Sequence, residues 1–83
     1  MKKYVFKNQE VNKVIQWWLD NYGYNILDTE NGIFMEDLQD ESNNKYTTEE
    51  DIIEFFIEQI ENKLQCNKCE SFEKDLEILK SIV

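Results

Sequence analysis

The chain has 83 residues, 18 acidic against 9 basic side chains, no histidine and a net charge of −9. That length suits one small domain, which buries only about 60–65% of its unfolded surface. A hydrophobic fraction of 41% with 13% aromatics argues against a disordered chain, and no apolar run nears the ~18 residues of a membrane span.

The N-terminal KYVFK (residues 3–7) is aromatic and β-branched and is predicted to be a strand. Asn8 is placed to cap the helix that follows. Val11, Val14, Ile15, Trp18, Leu19 and Tyr22 recur on one face of that helix, and Gly23 supplies its left-handed stop. Residues 24–36 centre on Asn31-Gly32, a pair suited to a type I′ turn, and predict a β-hairpin. Tyr24, Ile26, Ile33 and Met35 should share one of its faces, with Leu27, Phe34 and Leu38 on the other. Residues 37–46 lose periodicity and gather turn-formers, so they are expected to be a loop.

Thr47 or Thr48 then caps a second helix running to about Gln65, with Glu50 or Asp51 as the capping-box acid. A last helix starts at Ser71 and aligns Phe72, Leu76, Leu79 and Val83. The expected order is β-α-β-β-α-α. It describes a single compact α+β domain over residues 1–83, with a short antiparallel sheet covered by helices.

The charge is unevenly placed. Residues 23–62 hold twelve acids against Lys45 alone, a balance of −11, whereas the first 22 residues carry +2 and the last 21 cancel. At 100° per residue, Ile52, Ile53, Phe55, Phe56, Ile57, Ile60 and Leu64 occupy a broad apolar arc of roughly 200°. Glu50, Glu54, Glu58 and Glu61 fall within an arc of about 80° opposite it. Glu50–Glu54 and Glu54–Glu58 are like-charge pairs that weaken a helix, where Glu-to-Lys pairs would add about 0.2–0.5 kcal/mol each. The last helix does alternate its signs, through Glu70 with Lys74 and Glu77 with Lys80. A solvated face that maintains solubility is the plain reading of the acidic row. A surface for a basic partner is the functional one, with Glu36, Asp37, Asp40 and Glu41 extending it and Trp17 as an aromatic anchor.

Other chemistry finds little support. Cys66-Asn67-Lys68-Cys69 is one C-x-x-C with no second pair and no histidine, so a structural zinc site is incomplete within one chain. The motif lies between two helices and not after a strand, so two incidental, reduced cysteines are expected, with a redox pair or a metal shared between copies as alternatives. With no histidine and no glycine-rich loop, neither catalysis nor a cofactor is expected. The start turns polar after Phe6, without the apolar region of a signal peptide, and a cytoplasmic protein is expected.

The absence of alanine, proline and arginine, with heavy use of Asn, Lys, Ile and Glu, indicates an A/T-rich genome such as that of a low-GC bacterium or its phage. In size, acidity and composition the chain resembles the class of phage-borne inhibitors that includes anti-CRISPR proteins and DNA mimics. That likeness implies a non-catalytic inhibitor or regulator seated in the basic groove of a nucleic-acid-handling protein. Direct nucleic-acid or membrane binding is not expected. The alternatives are an immunity protein or antitoxin against a basic nuclease, and a homodimeric structural or regulatory protein paired through the last helix.

Overall fold

A computed structural model describes residues 2–82 of the chain. It is an α+β protein in the order β1 (Lys2–Lys3), α1 (Gln9–Tyr22), β2 (Tyr24–Thr29), β3 (Gly32–Asp37), a 3-10 turn (Glu41–Asn43), β4 (Lys45–Thr47), α2 (Glu49–Cys66) and α3 (Glu70–Lys80). The strands form one antiparallel sheet in the order β1-β2-β3-β4. The chain divides into two compact units, one ending at Glu49 and the other beginning at Glu50.

In the first unit, Asn8 caps α1 as its side chain predicts, its Oδ1 accepting from the backbone N–H groups of Glu10 at 2.9 Å and Val11 at 3.2 Å. Gly23 closes the helix in the left-handed region at φ 76°, with its N–H donating to the Leu19 carbonyl. The expected apolar face is buried at Val11, Val14, Ile15, Trp18 and Leu19, and Tyr22 stacks on Trp18 at 4.9 Å. The helix lies against β2.

The first strand is shorter than expected: it covers Lys2–Lys3 rather than residues 3–7. Tyr4 still donates its N–H to the Ile26 carbonyl. Beyond it the backbone leaves the sheet because other acceptors take its donors. The Phe6 N–H goes to Asn12 Oδ1 at 3.0 Å, and the Lys7 N–H to Glu49 Oε1 at 3.1 Å. Tyr4 Oη also donates to Glu49 Oε1, at 2.9 Å. Burial, then the Glu49 hydrogen bond and the charges of Glu49 and Asp28, push its phenol up to about 12.

The hairpin forms, but its turn is not of type I′. The last cross-strand pair is Thr29–Gly32, so Glu30 and Asn31 are the central residues. Among the described residues no non-glycine has positive φ, and Gly32 alone in the turn takes it, at 120°. Thr29 fastens the turn from its side chain: Oγ1 donates to the Gly32 carbonyl at 2.7 Å and accepts from the Asn31 N–H at 3.2 Å. The face assignment agrees with the register, which pairs Ile26 with Met35 and Leu27 with Phe34. Ile26 and Met35 are buried, and Leu38 lies beyond the strand end, 60% exposed.

The expected loop at residues 37–46 contains a further strand. Lys45–Thr47 pairs with β3 through Ile33–Thr47, Phe34–Tyr46 and Met35–Lys45. Three residues are too few to show a period, so this strand is defined by its partner. Phe34 and Tyr46 pack edge to face at 5.1 Å, the usual preference of a cross-strand aromatic pair.

The helix α2 starts directly after Thr48, with Glu49 the last residue of the first unit and the rest of the helix in the second, and ends one residue beyond the expected Gln65. The helix α3 begins at Glu70, with Cys69 and not Ser71 preceding it. On α2 the buried residues are Ile52, Ile53, Phe56 and Ile60, and on α3 Leu79 is fully buried. Leu79 is therefore unavailable to the pairing face expected of the last helix, in which Phe72 and Leu76 are half-buried; Val83 lies outside the described residues.

Candidate functional site

The helical period of α2 separates its two kinds of side chain. Its four buried residues span about 100° of the helix, narrower than the expected apolar arc, with Phe55, Ile57 and Leu64 half-buried at the flanks. Glu50, Glu54, Glu58 and Glu61 are all exposed on the other side. Neighbours four apart stand about 5–6 Å from one another, and Glu50 to Glu61 covers about 16 Å of axis. That gives one charge per roughly 5 Å, against one phosphate per about 3.4 Å of axis along a DNA strand. The helix end supplies about +0.5 charge only over its first turn, so Glu49, Glu50 and Asp51 gain from it while Glu54 and Glu58 do not.

The row is not uniform. Lys80, expected to serve Glu77 on its own helix, instead reaches Glu61 Oε2 at 3.2 Å. Both partners are about half exposed, so the bridge contributes roughly 0–1 kcal/mol. It nonetheless places a cation at the C-terminal end of the row. Among the described residues Glu50, Glu54 and Glu58 are held by no ion pair. They are the three carboxylates open to a partner.

The other four predicted acids belong to the first unit, and the fold assigns them separate tasks. Glu36 is half-buried and accepts from Asn25 Nδ2 across the hairpin at 3.1 Å. Asp37 is buried, with 8% of its surface exposed. Its Oδ1 accepts from the N–H groups of Gln39 at 2.9 Å and Asp40 at 3.3 Å, and its Oδ2 from Asn43 Nδ2 at 3.1 Å. Hydrogen bonds from Asn43 first, then from the Gln39 and Asp40 amides, hold its carboxyl below the usual aspartate range, against an opposing effect of burial. Its own N–H donates to Asn44 Oδ1 at 2.7 Å. Asp37 is thus the organiser of its loop and not a surface charge. Asp40 is exposed but also engaged locally, its Oδ1 accepting from the N–H of Ser42 at 3.1 Å and its hydroxyl at 2.7 Å. Glu41 is exposed at the start of the 3-10 turn.

Trp17 is 46% exposed on α1, off the buried stripe as its angular position predicts, and meets Trp18 edge to face at 5.4 Å. About half of its surface remains on the outside of the first unit. Sequence reasoning missed Glu49, whose carboxylate holds Tyr4 and the Lys7 amide; nothing local to Glu49 announces partners more than 40 residues away. It also missed the exposed Tyr46 and Val5, which sequence pattern alone places in a loop and a strand.

Cys66 is the last residue of α2 and Cys69 the N-cap of α3; both thiols are free, the first exposed and the second half-buried. Among the described residues no group of three or more His, Cys, Asp or Glu is placed to hold a metal ion, and no helix is long and apolar enough to cross a membrane. Comparison with known protein families, curated proteins and solved structures finds none to which this chain is similar.

Proposed function

We propose that the protein is a non-catalytic inhibitor or regulator that occupies the basic groove of a nucleic-acid-handling protein, with Glu50, Glu54 and Glu58 in the place of backbone phosphates. The observation that carries this reading is the acidic side of α2: like charges at helical neighbour spacing, exposed and without ion pairs among the described residues, on a helix whose other side is buried. Solubility requires negative charge but no particular arrangement, and a mixed face would serve it at lower cost to the helix. The excess of −11 over residues 23–62 supports the same reading, because a strongly single-signed region accelerates encounter with a basic surface.

The decisive variant is Glu54→Lys combined with Glu58→Lys. Both side chains are exposed; a lysine at position 54 makes a favourable pair with Glu50 of about 0.2–0.5 kcal/mol, and lysines at 54 and 58 only replace one like-charge pair by another, so the fold is retained. The experiment is affinity capture from a low-GC bacterial lysate, elution with a salt gradient, and measurement of the recovered partner against both chains. A basic nucleic-acid-binding protein released at moderate salt is expected, and at low salt the double variant should bind it about a hundredfold more weakly or worse. Equal affinity in a correctly folded double variant would overturn the reading.

A further inference from the structure

The C-x-x-C segment is left without a task by the acidic face, and its position in the second unit gives it one. The helix α2 ends on Cys66, the chain bends at Asn67, and α3 begins immediately after Cys69. Both thiols are free, and they are not equivalent: Cys66 is exposed while Cys69 is half-buried. Cys69 occupies the N-cap in an extended conformation (φ −140°, ψ 121°), yet its side chain makes no capping hydrogen bond. The N-cap side chain ordinarily accepts from the amides of the first turn. Drawing this sulfur away therefore removes no cap from α3.

We propose that Cys66 and Cys69 are a dithiol–disulfide couple at the α2–α3 corner, Cys66 the attacking thiol and Cys69 the resolving one, closed by exchange with a small-molecule disulfide such as oxidised glutathione. In the first step the Cys66 thiol gives up its proton and its sulfur attacks one sulfur of glutathione disulfide. A mixed disulfide forms, and the departing glutathione thiolate takes up the proton. In the second, the Cys69 sulfur attacks the Cys66 sulfur, the Cys66–Cys69 bond forms, and the second glutathione leaves with the Cys69 proton. The protein loses two electrons and two protons, and glutathione disulfide gains them as two thiols. The exposed thiol meets the incoming disulfide, and its neighbour, out of easy reach of a second molecule, completes the exchange internally.

The geometry required is a Cα separation of about 4.4–6.8 Å, and the two cysteines flank the bend at Asn67, three residues apart in the chain. Because α2 and α3 fix the two ends, the folded chain restricts the orientations that the unfolded chain samples. The bond would stiffen the corner that sets the angle of α3 to α2. The same two helices carry the Lys80–Glu61 bridge. The inference does not depend on the proposed function.

The test uses the full chain in buffers of reduced and oxidised glutathione, quenched with acid and analysed by intact mass, with far-UV circular dichroism to show that the fold is kept. The wild type is expected to yield a monomer lighter by two hydrogens, while Cys66→Ser and Cys69→Ser each stop at one glutathione adduct. Cys69→Ser should acquire its adduct faster than Cys66→Ser, since it retains the exposed thiol. The equilibrium constant for closure in the folded chain should exceed that of the urea-unfolded chain by about tenfold or more. Glutathione adducts or disulfide-linked dimers in place of the monomeric disulfide would overturn the proposal, as would equal closure constants in the two states.

Discussion

Glu36 and Asp37 are adjacent residues of the same charge on β3, but they do different things. Strand alternation turns Glu36 to the open side with Asn25 and turns Asp37 to the side of Met35 and Ile26. The buried carboxylate would be costly without partners, and the loop after it supplies three donors. The hairpin read from the sequence stops at Glu36 and leaves Asp37 to the expected loop; the pairing of Asp37 with Tyr24 extends the alternation of Ile33 and Met35 to it and turns it inward. Its donors are equally invisible in the sequence, because two of them are backbone amides placed by a turn that Asp37 itself organises. Since the folded carboxyl lies below its ordinary 3.8, its contribution is present above about pH 4 and is lost as the pH falls through the lowered folded value. Asp37→Asn should therefore melt below the wild type at pH 7, and the gap should close as the pH is taken toward about 2. A gap that is constant with pH would mean that the charge is not what the loop uses.

Among the elements, the strongest local signals are the ends of α1. An Asn side chain can reach the first-turn amides, and a glycine can take positive φ, whatever the rest of the chain does. Gly23 also approaches Gln39: a Cβ there would lie 3.5 Å from Gln39 Nε2, an ordinary contact, so conformation alone penalises a side chain. Gly23→Ala should cost about 1 kcal/mol, and Gly23→Asn less, because asparagine tolerates the left-handed region. Denaturant titration measures both, and an asparagine variant less stable than the alanine variant would contradict the account. Elements that depend on a partner are harder to see. The strand β4 exists because β3 offers an edge, and β1 stops at Lys3 because Asn12 and Glu49 take the next backbone donors. The hairpin turn sits one residue earlier than Asn31-Gly32 suggests, because Thr29 anchors Glu30-Asn31 and leaves the positive φ to Gly32.

For the molecule as a whole, a net charge of −9 on 83 residues makes self-repulsion a standing cost to the folded state. Screening reduces it, since the Debye length falls from about 30 Å at 0.01 M salt to about 3 Å at 1 M. The melting temperature should rise with sodium chloride over that range by about 4–8 °C, the shift that about 1 kcal/mol produces in a domain of this size. The same salt should weaken binding to a basic partner. Opposite responses of stability and affinity distinguish an acidic surface used for recognition from one in which salt merely loosens the protein. A melting temperature that falls with salt would show that attractive ion pairs outweigh the repulsion.

The α+β class, the caps of α1, the buried faces of α1 and α2, and the exposed acidic side of α2 are all legible in the amino-acid sequence. Each follows from periodicity or from one side chain acting on its own backbone, interactions that reach only a few residues. The fourth strand, the burial of Asp37, the pairing of Glu61 with Lys80 and the attachment of Glu49 to Tyr4 and Lys7 emerge only in three dimensions. These depend on which donors and acceptors meet once distant segments are brought together, and the sum of charges along the chain carries no record of that. The row of four acids read from α2 thereby becomes a row of three open carboxylates and one that is paired.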